Sequence, residues 1–186
     1  MLYAGVPGQG YPMASLDSWK VRSFQSGDLP ACSKLYIEGL LGGTLAENDT
    51  ALDIDDIDTV YMRYPGNHFW VAESSAGQIV GMVGVQAYEA GTAQIRRLRV
   101  ANDFRRRGIG SAMVETALQF CEEKQYLKIT LDTFLDREPA IRLFEKHRFH
   151  HDHTRMVNGK PLMYFYLDLY TGHARQDKSD WHGQHK

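Results

Sequence analysis

A short segment near the middle of the chain has residue types that bind phosphate. It reads DFRRRGIGSAM, from Asp103 to Met113. Amides at the start of a helix carry a partial positive charge, glycines let the backbone approach an anion, and arginines add forked hydrogen-bond donors. Where such a segment links a strand to a helix, it predicts a site for phosphate oxygens.

The spacing within this segment separates it from two common phosphate motifs. A dinucleotide fingerprint has the pattern G-x-G-x-x-G, but Met113 stands where the third glycine would be. A Walker loop has the pattern G-x-x-x-x-G-K-[ST], which no spacing from Gly108 provides. The pattern that fits is Arg-x-x-Gly-x-Gly, from Arg105 to Gly110. A plain basic turn before an amphipathic helix would also explain the segment, so both interpretations stay open.

The surrounding elements place this segment between a strand and a helix. Thr92–Val100 is rich in strand formers, and an apolar stripe at helical spacing begins after Gly108. Turn signals at Ala76-Gly77 and Asn158-Gly159 predict two hairpins. The predicted order along the chain is β-α-α-β-β-β-α-β-α-β-β. This order predicts an α/β (α+β) domain, with a mixed sheet flanked by helices.

Two charged segments allow more than one interpretation. The stretch 49–66 predicts a helix, with apolar residues facing inward (Leu52, Ile54, Ile57, Val60) and acidic residues facing outward (Asp53, Asp55, Asp56, Asp58). Its acidic face would attract a cationic amine, or it is simply a solvated surface. The segment HRFHHDH, His147–His153, predicts a solvated turn rather than a metal site, since it matches no recognised ligand pattern.

Length and composition predict one domain of ordinary solubility. The chain has 186 residues, 43% of them hydrophobic and 24% charged. We expect a flexible leader at 1–17, the domain at 18–170 and a flexible tail at 171–186. The formal net charge of -2 argues against nucleic-acid binding. Two distant cysteines, and no sign of a signal peptide or membrane span, predict a cytoplasmic location and no membrane partner.

Two motifs together carry a family resemblance. Arg105-x-x-Gly108-x-Gly110 follows IRRLRV, and AIRLFEKHRF comes one strand later. This arrangement resembles the GNAT acyl-CoA-dependent N-acetyltransferases over Trp19 to Tyr170. The stretch DIDDIDTVYMRYPGNHFWVAESSAGQIVGMVG also resembles the cysteine S-conjugate and aspartate N-acetyltransferases. The resemblance implies the GNAT fold, with a mostly antiparallel central sheet, acetyl-CoA as cosubstrate and no metal.

The resemblance also implies roles for particular positions. The family's strand before the loop diverges from its neighbour, and its backbone hydrogen-bonds the pantetheine arm. The loop amides hold the pyrophosphate, and the helix after the fifth strand lies along the cosubstrate. The matching positions for the strand are Leu98, Arg99 and Val100. Those for the loop are Arg105, Arg106, Arg107, Gly108, Ile109, Gly110 and Ser111, and those for the helix are Ala140, Leu143 and Phe144.

Several positions depart from the family pattern. Phe144 stands where a tyrosine often acts as general acid, Gln94 where a glutamate often acts as base, and Arg137 where an asparagine is common. The remaining candidate bases are Glu73, Glu89 and Asp132, and the candidate acids are Tyr164, Tyr166 and Tyr170. We assign catalysis to Glu73, Tyr164 and the Val100 N–H, the last as donor to the oxyanion. Strand-end charges and ordinary sheet aromatics are the alternative explanation for these side chains.

The predicted function is acetyl transfer from acetyl-CoA to a primary amine of a small-molecule or amino-acid-like acceptor, by direct attack in a ternary complex. The exchanges at Gln94 and Phe144 support a second hypothesis, a non-catalytic acyl-CoA-binding or sensor module. A third hypothesis is nucleic-acid binding through the arginines at 96, 97, 99 and 105–107, which the net charge disfavours. A homodimer is one assembly that the sequence leaves open.

Overall fold

The computed structural model describes residues 18–39 and 51–170. In this part of the chain seven strands form one sheet, and helices pack against both of its faces. The predicted leader, the predicted tail with its histidines, and the helix stop expected at Gly42-Gly43 lie outside the described residues.

The described elements follow the predicted order. The strands are β1 (Trp19–Ser23), β2 (His68–Ser74), β3 (Ile79–Glu89), β4 (Thr92–Val100), β5 (Lys128–Phe134), β6 (His150–Val157) and β7 (Lys160–Asp168). The helices are α1 (Leu29–Glu38), α2 (Leu52–Asp55), α3 (Ile109–Glu123) and α4 (Glu138–Lys146). Two 3-10 turns, Ser26–Asp28 and Asn102–Phe104, and a π-helical turn, Asp58–Met62, complete the set.

The sheet is mixed and mostly antiparallel, which confirms the expected fold class. Its strand order is β1-β2-β3-β4-β5-β7-β6, and β4 with β5 forms the parallel pair. Both predicted hairpins are present. Asn158 and Gly159 have φ angles of 49° and 73°, as a two-residue hairpin turn requires. The central strands β4 and β5 can pair in parallel because α3 crosses over between them.

Apolar side chains form one core on each face of the sheet. The first core lies under α3 and α4 and includes Ile95, Met113 and Leu131. The second lies under α1 and α2 and includes Tyr36 and Met82. Because side chains alternate along a strand, a core residue and the residue after it point to opposite faces, except at a bulge. This alternation decides which polar residues reach the α1/α2 face.

The stretch predicted as one amphipathic helix differs from expectation. It divides into the short α2 and the π-helical turn, and two of its residues are reversed. Leu52, expected inside, is 67% exposed. Asp53, expected outside, has a side chain only 11% exposed because it forms an ion pair with Arg97. The helical period is the wrong guide here, since a charged partner from β4 compensates for the burial of the carboxylate.

The histidine-rich segment also differs from expectation. Its composition predicts a solvated turn, but β6 begins at His150 and pairs with β7. The strand carries a bulge between His151 and His153. His153 stacks on Tyr164, with ring centroids 4.5 Å apart and planes inclined by 9°. Aromatic partners on β7 therefore hold this segment in the sheet.

Candidate active site

A gap opens between β4 and β5 near the centre of the sheet. The two strands pair over Thr92 with Lys128, Ala93 with Ile129, and Gln94 with Thr130. Beyond Gln94, β4 remains paired with β3, and β5 remains paired with β7. The parallel strands therefore diverge after three residue pairs. This divergence is expected from the family resemblance, and within the described residues it leaves one edge of β4 without a strand partner beyond Gln94.

The backbone of β4 beyond the divergence faces this gap at alternate residues. The N–H of Ala101 donates to the carbonyl of Val80 at 2.8 Å, which is a ladder bond to β3. Successive residues of an antiparallel ladder turn their amides to opposite sides. The amides of Val100 and Leu98 therefore face the gap, whereas the Arg99 amide faces β3. This arrangement suits an extended ligand that would hydrogen-bond along the free edge of β4.

The loop after β4 has the geometry of an anion cradle. Gly108 adopts a left-handed conformation, with a φ of 83°, and immediately precedes α3. The first helical bond joins the Ala112 N–H to the Gly108 carbonyl at 3.0 Å. The amides of Ile109, Gly110 and Ser111 thus lie before the first intrahelical bond. The residues 105–108 are exposed, so the cradle is open to solvent.

Two of the loop arginines are fixed by local contacts. Arg105 Nε donates to the Val100 carbonyl at 3.3 Å, which ties the loop to the end of β4. Arg107 Nη2 donates to the Asp103 carbonyl at 3.0 Å, and its guanidinium lies over the Phe104 ring. Arg106 has a positive φ of 63°. The structure thus brings the predicted loop residues together at the open end of the gap.

Helix α4 lies beside the start of α3. A Cβ atom at Gly110 would lie 3.2 Å from Cδ2 of Leu143, so a glycine allows the two helices to approach. Ala140 is half-buried against the α3/α4 core. Phe144 is 5% exposed and packs against Phe149 and Phe165. Its ring, assigned to the cosubstrate from the sequence, is thus part of the core in this structure.

Arginine side chains line the approach to the gap from α1. Arg137, the residue before α4, donates from Nη2 to the carbonyl of Gly39 at 2.5 Å. Arg99 lies against the same glycine, since a Cβ there would be 2.5 Å from Arg99 Nε. Arg105 interacts electrostatically with Arg137. The sequence identifies Arg137 as a family departure, but only the fold shows that it joins α4 to α1.

A row of polar side chains crosses the α1/α2 face at the point where the strands diverge. Gln94 of β4 donates from Nε2 to Oδ1 of Asp132 of β5 at 3.2 Å. Asp132 lies directly opposite Tyr164 of β7, and Tyr164 lies opposite His153 of β6. Asp132 is exposed, and Tyr164 is half-buried. One candidate base and one candidate acid therefore stand side by side next to the gap.

A buried ion pair supports β4 beside this row. Arg97 has a positive φ of 59° and lies in an irregularity of the β3–β4 ladder. Its Nε donates to Oδ2 of Asp53 at 2.8 Å, and Tyr61 donates to the same oxygen at 2.6 Å. Burial alone raises the pKa of Asp53, but the bonds from Arg97 and Tyr61 outweigh it and leave the pKa below its usual value.

The sequence analysis missed this ion pair, although a signal for the bulge was present. Apolar residues of β4 recur at Ala93, Ile95, Leu98 and Val100, so the interval changes from two to three and back. One extra residue in the strand explains that change. It allows both Arg96 and Arg97 to reach the α1/α2 face, where Arg96 donates to Gln86 at 2.9 Å. The partner of Arg97 could not be identified from this spacing.

The other acid–base candidates lie elsewhere. Glu73 on β2 accepts from Arg22 Nε at 2.8 Å and lies 3.3 Å from Lys20 Nζ. The structure does not bring it to the gap, since β3 lies between β2 and β4. Glu89 is at the end of β3, and Tyr170 is 71% exposed after β7. Tyr166 shares the face of Asp132, opposite Thr130, with Lys128 Nζ 5.0 Å from its ring centroid.

A comparison with protein-family models identifies the family of this chain. Residues 33–149 match the model described as "Acetyltransferase (GNAT) family". The chain is a member of this family. The match spans more than half of the chain and includes the glycine loop, the diverging strands and all of α4.

Two curated relatives are similar to this chain over part of its length. N-acetyltransferase 8 of Homo sapiens is 36% identical over 102 residues, covering 52% of this chain and 44% of the relative. N-acetylaspartate synthetase of Homo sapiens is 35% identical over 100 residues, covering 53% of this chain and 33% of the relative. The alignments thus span less than half the length of these two relatives.

Solved GNAT structures share the fold over most of the chain. An acetyltransferase of the GNAT family from Staphylococcus aureus Mu50 superposes with a TM-score of 0.72 at 16% identity, covering 82% of this chain and 99% of that one. Ribosomal-protein-alanine N-acetyltransferase from Brucella melitensis gives 0.67 at 21% identity, covering 81% and 99%. At these identities the likeness establishes the fold.

The described part of this GNAT domain has neither a cluster of metal-ligating side chains nor a helix that could span a membrane. Across 18–39 and 51–170, no three His, Cys, Asp or Glu side chains are grouped so that they could hold a metal ion. Every helix within the described residues is too short or too polar to cross a lipid bilayer.

Proposed function

We propose that this chain transfers the acetyl group of acetyl-CoA to a primary amine of a small-molecule or amino-acid-like acceptor. The observation that carries the proposal is the position of the anion cradle, which opens onto the same gap as the free edge of β4 and the polar row. A ligand with a diphosphate at one end and a reactive group at the other matches that arrangement. The family membership and the names of the relatives support the same reaction class.

The residues present fit the two ends of such a ligand. Amides at the start of α3 and the exposed arginines suit a pyrophosphate, because both supply donors and positive charge. The gap-facing amide of Leu98 suits an amide group of a pantetheine arm. Leu143 and the half-buried Ala140 supply apolar surface on α4. When bound, acetyl-CoA supplies an acetyl group on a thioester.

The side chains around the gap suit direct transfer. The acceptor nitrogen must be neutral to attack, and a carboxylate or a water chain takes the proton that it loses. We assign the Val100 N–H to the oxyanion, a contribution of roughly 3 kcal/mol in comparable acyl-transfer sites. We assign Tyr164 to protonate the departing thiolate. No covalent enzyme intermediate is needed, because the nitrogen attacks the thioester itself.

The acceptor class is the broadest part of the proposal. The similarity to N-acetylaspartate synthetase favours an amino acid or a related amine as the acceptor. The polar row lies on the α1/α2 face, opposite the face that α3 and α4 cover, so we expect the acceptor to enter from that side. We expect a homodimer, which light scattering tests, and a cytoplasmic location, which cell fractionation tests.

Thermal unfolding and thiol release test the proposal together. Acetyl-CoA at 100 times its dissociation constant should add about 2.7 kcal/mol to the unfolding free energy. Thiol release should then depend on an amine from a panel of L-aspartate, L-alanine, L-lysine and spermidine. No thermal shift at millimolar acetyl-CoA contradicts the binding site. A shift without turnover on any panel amine favours the sensor hypothesis instead.

A further inference from the structure

The hydrogen bond between Gln94 and Asp132 joins the two strands at the point where they separate. Gln94 belongs to the last β4–β5 pair, and Asp132 lies two residues beyond its partner Thr130. The 3.2 Å contact from Nε2 to Oδ1 spans the start of the gap on the α1/α2 face. It therefore places a carboxylate where the free edge of β4 begins.

We propose that Asp132 is the general base of the reaction and that Gln94 is a positioning residue that orients it. The inference rests on the proposed acetyl transfer. The usual family base position on β4 holds Gln94, whose amide cannot accept the proton. The structure puts a carboxylate within hydrogen-bond distance of that amide, on the neighbouring strand. The proton acceptor has thus moved from β4 to β5, while its location in the site is nearly the same.

Geometry separates Asp132 from the other carboxylate candidates. Glu73 of β2 forms ion pairs with Arg22 and Lys20 of β1, and β3 separates β2 from β4. Glu89 is exposed at the end of β3, beside the first residue of β4 rather than beside the gap. Of these three carboxylates, Asp132 alone combines an exposed position on the α1/α2 face with a contact across the gap.

The proposed step balances with the groups at hand. The amine nitrogen attacks the thioester carbon and forms the C–N bond, while Asp132 accepts the proton that the nitrogen loses. The C–S bond breaks, and its electron pair leaves with the sulfur of coenzyme A. Tyr164, directly opposite Asp132 in the β5–β7 register, donates a proton to that thiolate. The proton on Asp132 then passes to the Tyr164 phenolate, directly or through water, which restores both residues.

The first test replaces the carboxylate without changing its shape. Asp132→Asn should lower kcat/KM for the best panel amine by about 100-fold or more, the usual contribution of a general base. The affinity for acetyl-CoA, measured by thermal shift, should stay within twofold. The matched control is Asp168→Asn, the same exchange on the same face of the sheet, at the end of β7 opposite Lys128. It should retain the wild-type rate.

The second test returns the carboxylate to β4. In Gln94→Glu/Asp132→Asn the new amide at position 132 can donate to the new carboxylate at position 94, so the contact is kept with the roles exchanged. We expect this double variant to recover at least about tenfold of the kcat lost in Asp132→Asn, because a general base is again present. A purely structural role for the hydrogen bond predicts no such recovery, since the bond alone would not restore a base.

The outcomes separate this inference from the proposed function. If the wild type releases thiol with a panel amine and Asp132→Asn stays within threefold of it, Asp132 is not the base and acetyl transfer stands. If Asp132→Asn is slow but the double variant is equally slow, the exchange of roles between β4 and β5 is wrong. If the wild type binds acetyl-CoA but acetylates nothing in the panel, the proposed function itself fails, and Asp132 has no catalytic role with these amines.

Discussion

At the scale of single residues, Phe144 and Tyr164 lie on opposite sides of the sheet. Phe144 is in the α3/α4 core, and Tyr164 is in the polar row on the α1/α2 face. Many family members have a tyrosine hydroxyl at position 144. Tyr164 therefore cannot supply a hydroxyl from the α3/α4 side, where that group would lie. If Tyr164 is the acid, it reaches the departing sulfur from the acceptor side, next to Asp132.

Removing the Tyr164 hydroxyl tests this role. Tyr164→Phe should lower kcat at least tenfold, since a positioned general acid contributes roughly 10² to 10⁴. The KM for acetyl-CoA should change little, because the ring and its stack on His153 remain. Steady-state thiol release measures both constants. Tyr88→Phe, at an exposed position on β3, is the control. A kcat within twofold of wild type would assign thiolate release to solvent.

The two cysteines give a second prediction for single residues. Cys32 and Cys121 are fully buried, and burial raises the pKa of each thiol to about 12. Because the thiolate is the reactive form, neither should react with a chromogenic disulfide reagent in the native protein at pH 8. Both should react in urea, as followed by absorbance. A rapid native reaction of either thiol would show that its helix opens readily.

At the scale of elements, the β4–loop–α3 unit combines a positive-φ glycine with unpaired helix amides. Gly108 precedes α3 with a φ of 83°, and Gly77 holds the β2–β3 turn with a φ of 77°. A Cβ atom added at either glycine would come no closer than 3.8 Å to another atom, so a substitution at either position causes backbone strain without steric conflict. The two glycines differ in location, since only Gly108 lies at the anion cradle.

This pair of glycines allows the cradle to be tested against a matched control. Gly108→Ala and Gly77→Ala should each destabilise the fold by about 1 kcal/mol, the cost of a left-handed non-glycine residue. Only Gly108→Ala should weaken acetyl-CoA binding, by roughly tenfold or about 1.4 kcal/mol, because it adds a methyl group and strain where the phosphate would lie. Urea unfolding and ligand titration measure the two effects. Equal affinity in both variants would argue against the cradle.

At the scale of the whole molecule, the Asp53–Arg97 pair connects the α1/α2 layer to the centre of the sheet. The side chains are 11% and 8% exposed, and the Arg97 guanidinium also lies over the Tyr36 ring of α1. The contact therefore joins α2, β4 and α1. It holds α1 and α2, which cover the proposed acceptor side, against β4, the strand that faces the gap.

The lowered pKa of Asp53 makes this contribution depend on pH. Its stabilising effect is present above the unfolded-state pKa of about 3.9 and is lost as pH falls through the lower folded-state pKa. Asp53→Asn should cost about 3 kcal/mol near neutral pH, because it leaves the Arg97 charge buried. The difference in unfolding free energy between Asp53→Asn and wild type should be smaller at pH 3 than at pH 7. Urea unfolding at both pH values measures it.

An exposed neighbour on the same helix provides the control for that prediction. Asp55→Asn should change the unfolding free energy by less than about 0.5 kcal/mol at either pH, as is usual for surface exchanges. A difference between Asp53→Asn and wild type that is the same at pH 7 and pH 3 would show that the carboxylate charge is not what stabilises the contact.

The sequence by itself determined the features that depend on near neighbours in the chain. The order of strands and helices, the two hairpin turns and the strand–glycine loop–helix unit follow from side-chain period and from glycines that permit positive φ. The family pattern and its exchanges at Gln94 and Phe144 are likewise legible, because they are local in the sequence. These signals were sufficient for the fold class and for placing the glycine loop between β4 and α3.

The tertiary structure decided which distant side chains meet. Asp53 is buried because Arg97, 44 residues away, neutralises it, and no helical period reveals such a partner. From the sequence, Asp132 was one of three candidate carboxylates and Glu73 was the one assigned to catalysis, whereas the strand order puts Asp132 between Gln94 and Tyr164. The register of a sheet sets these contacts, and register depends on the packing of both faces at once rather than on any one segment.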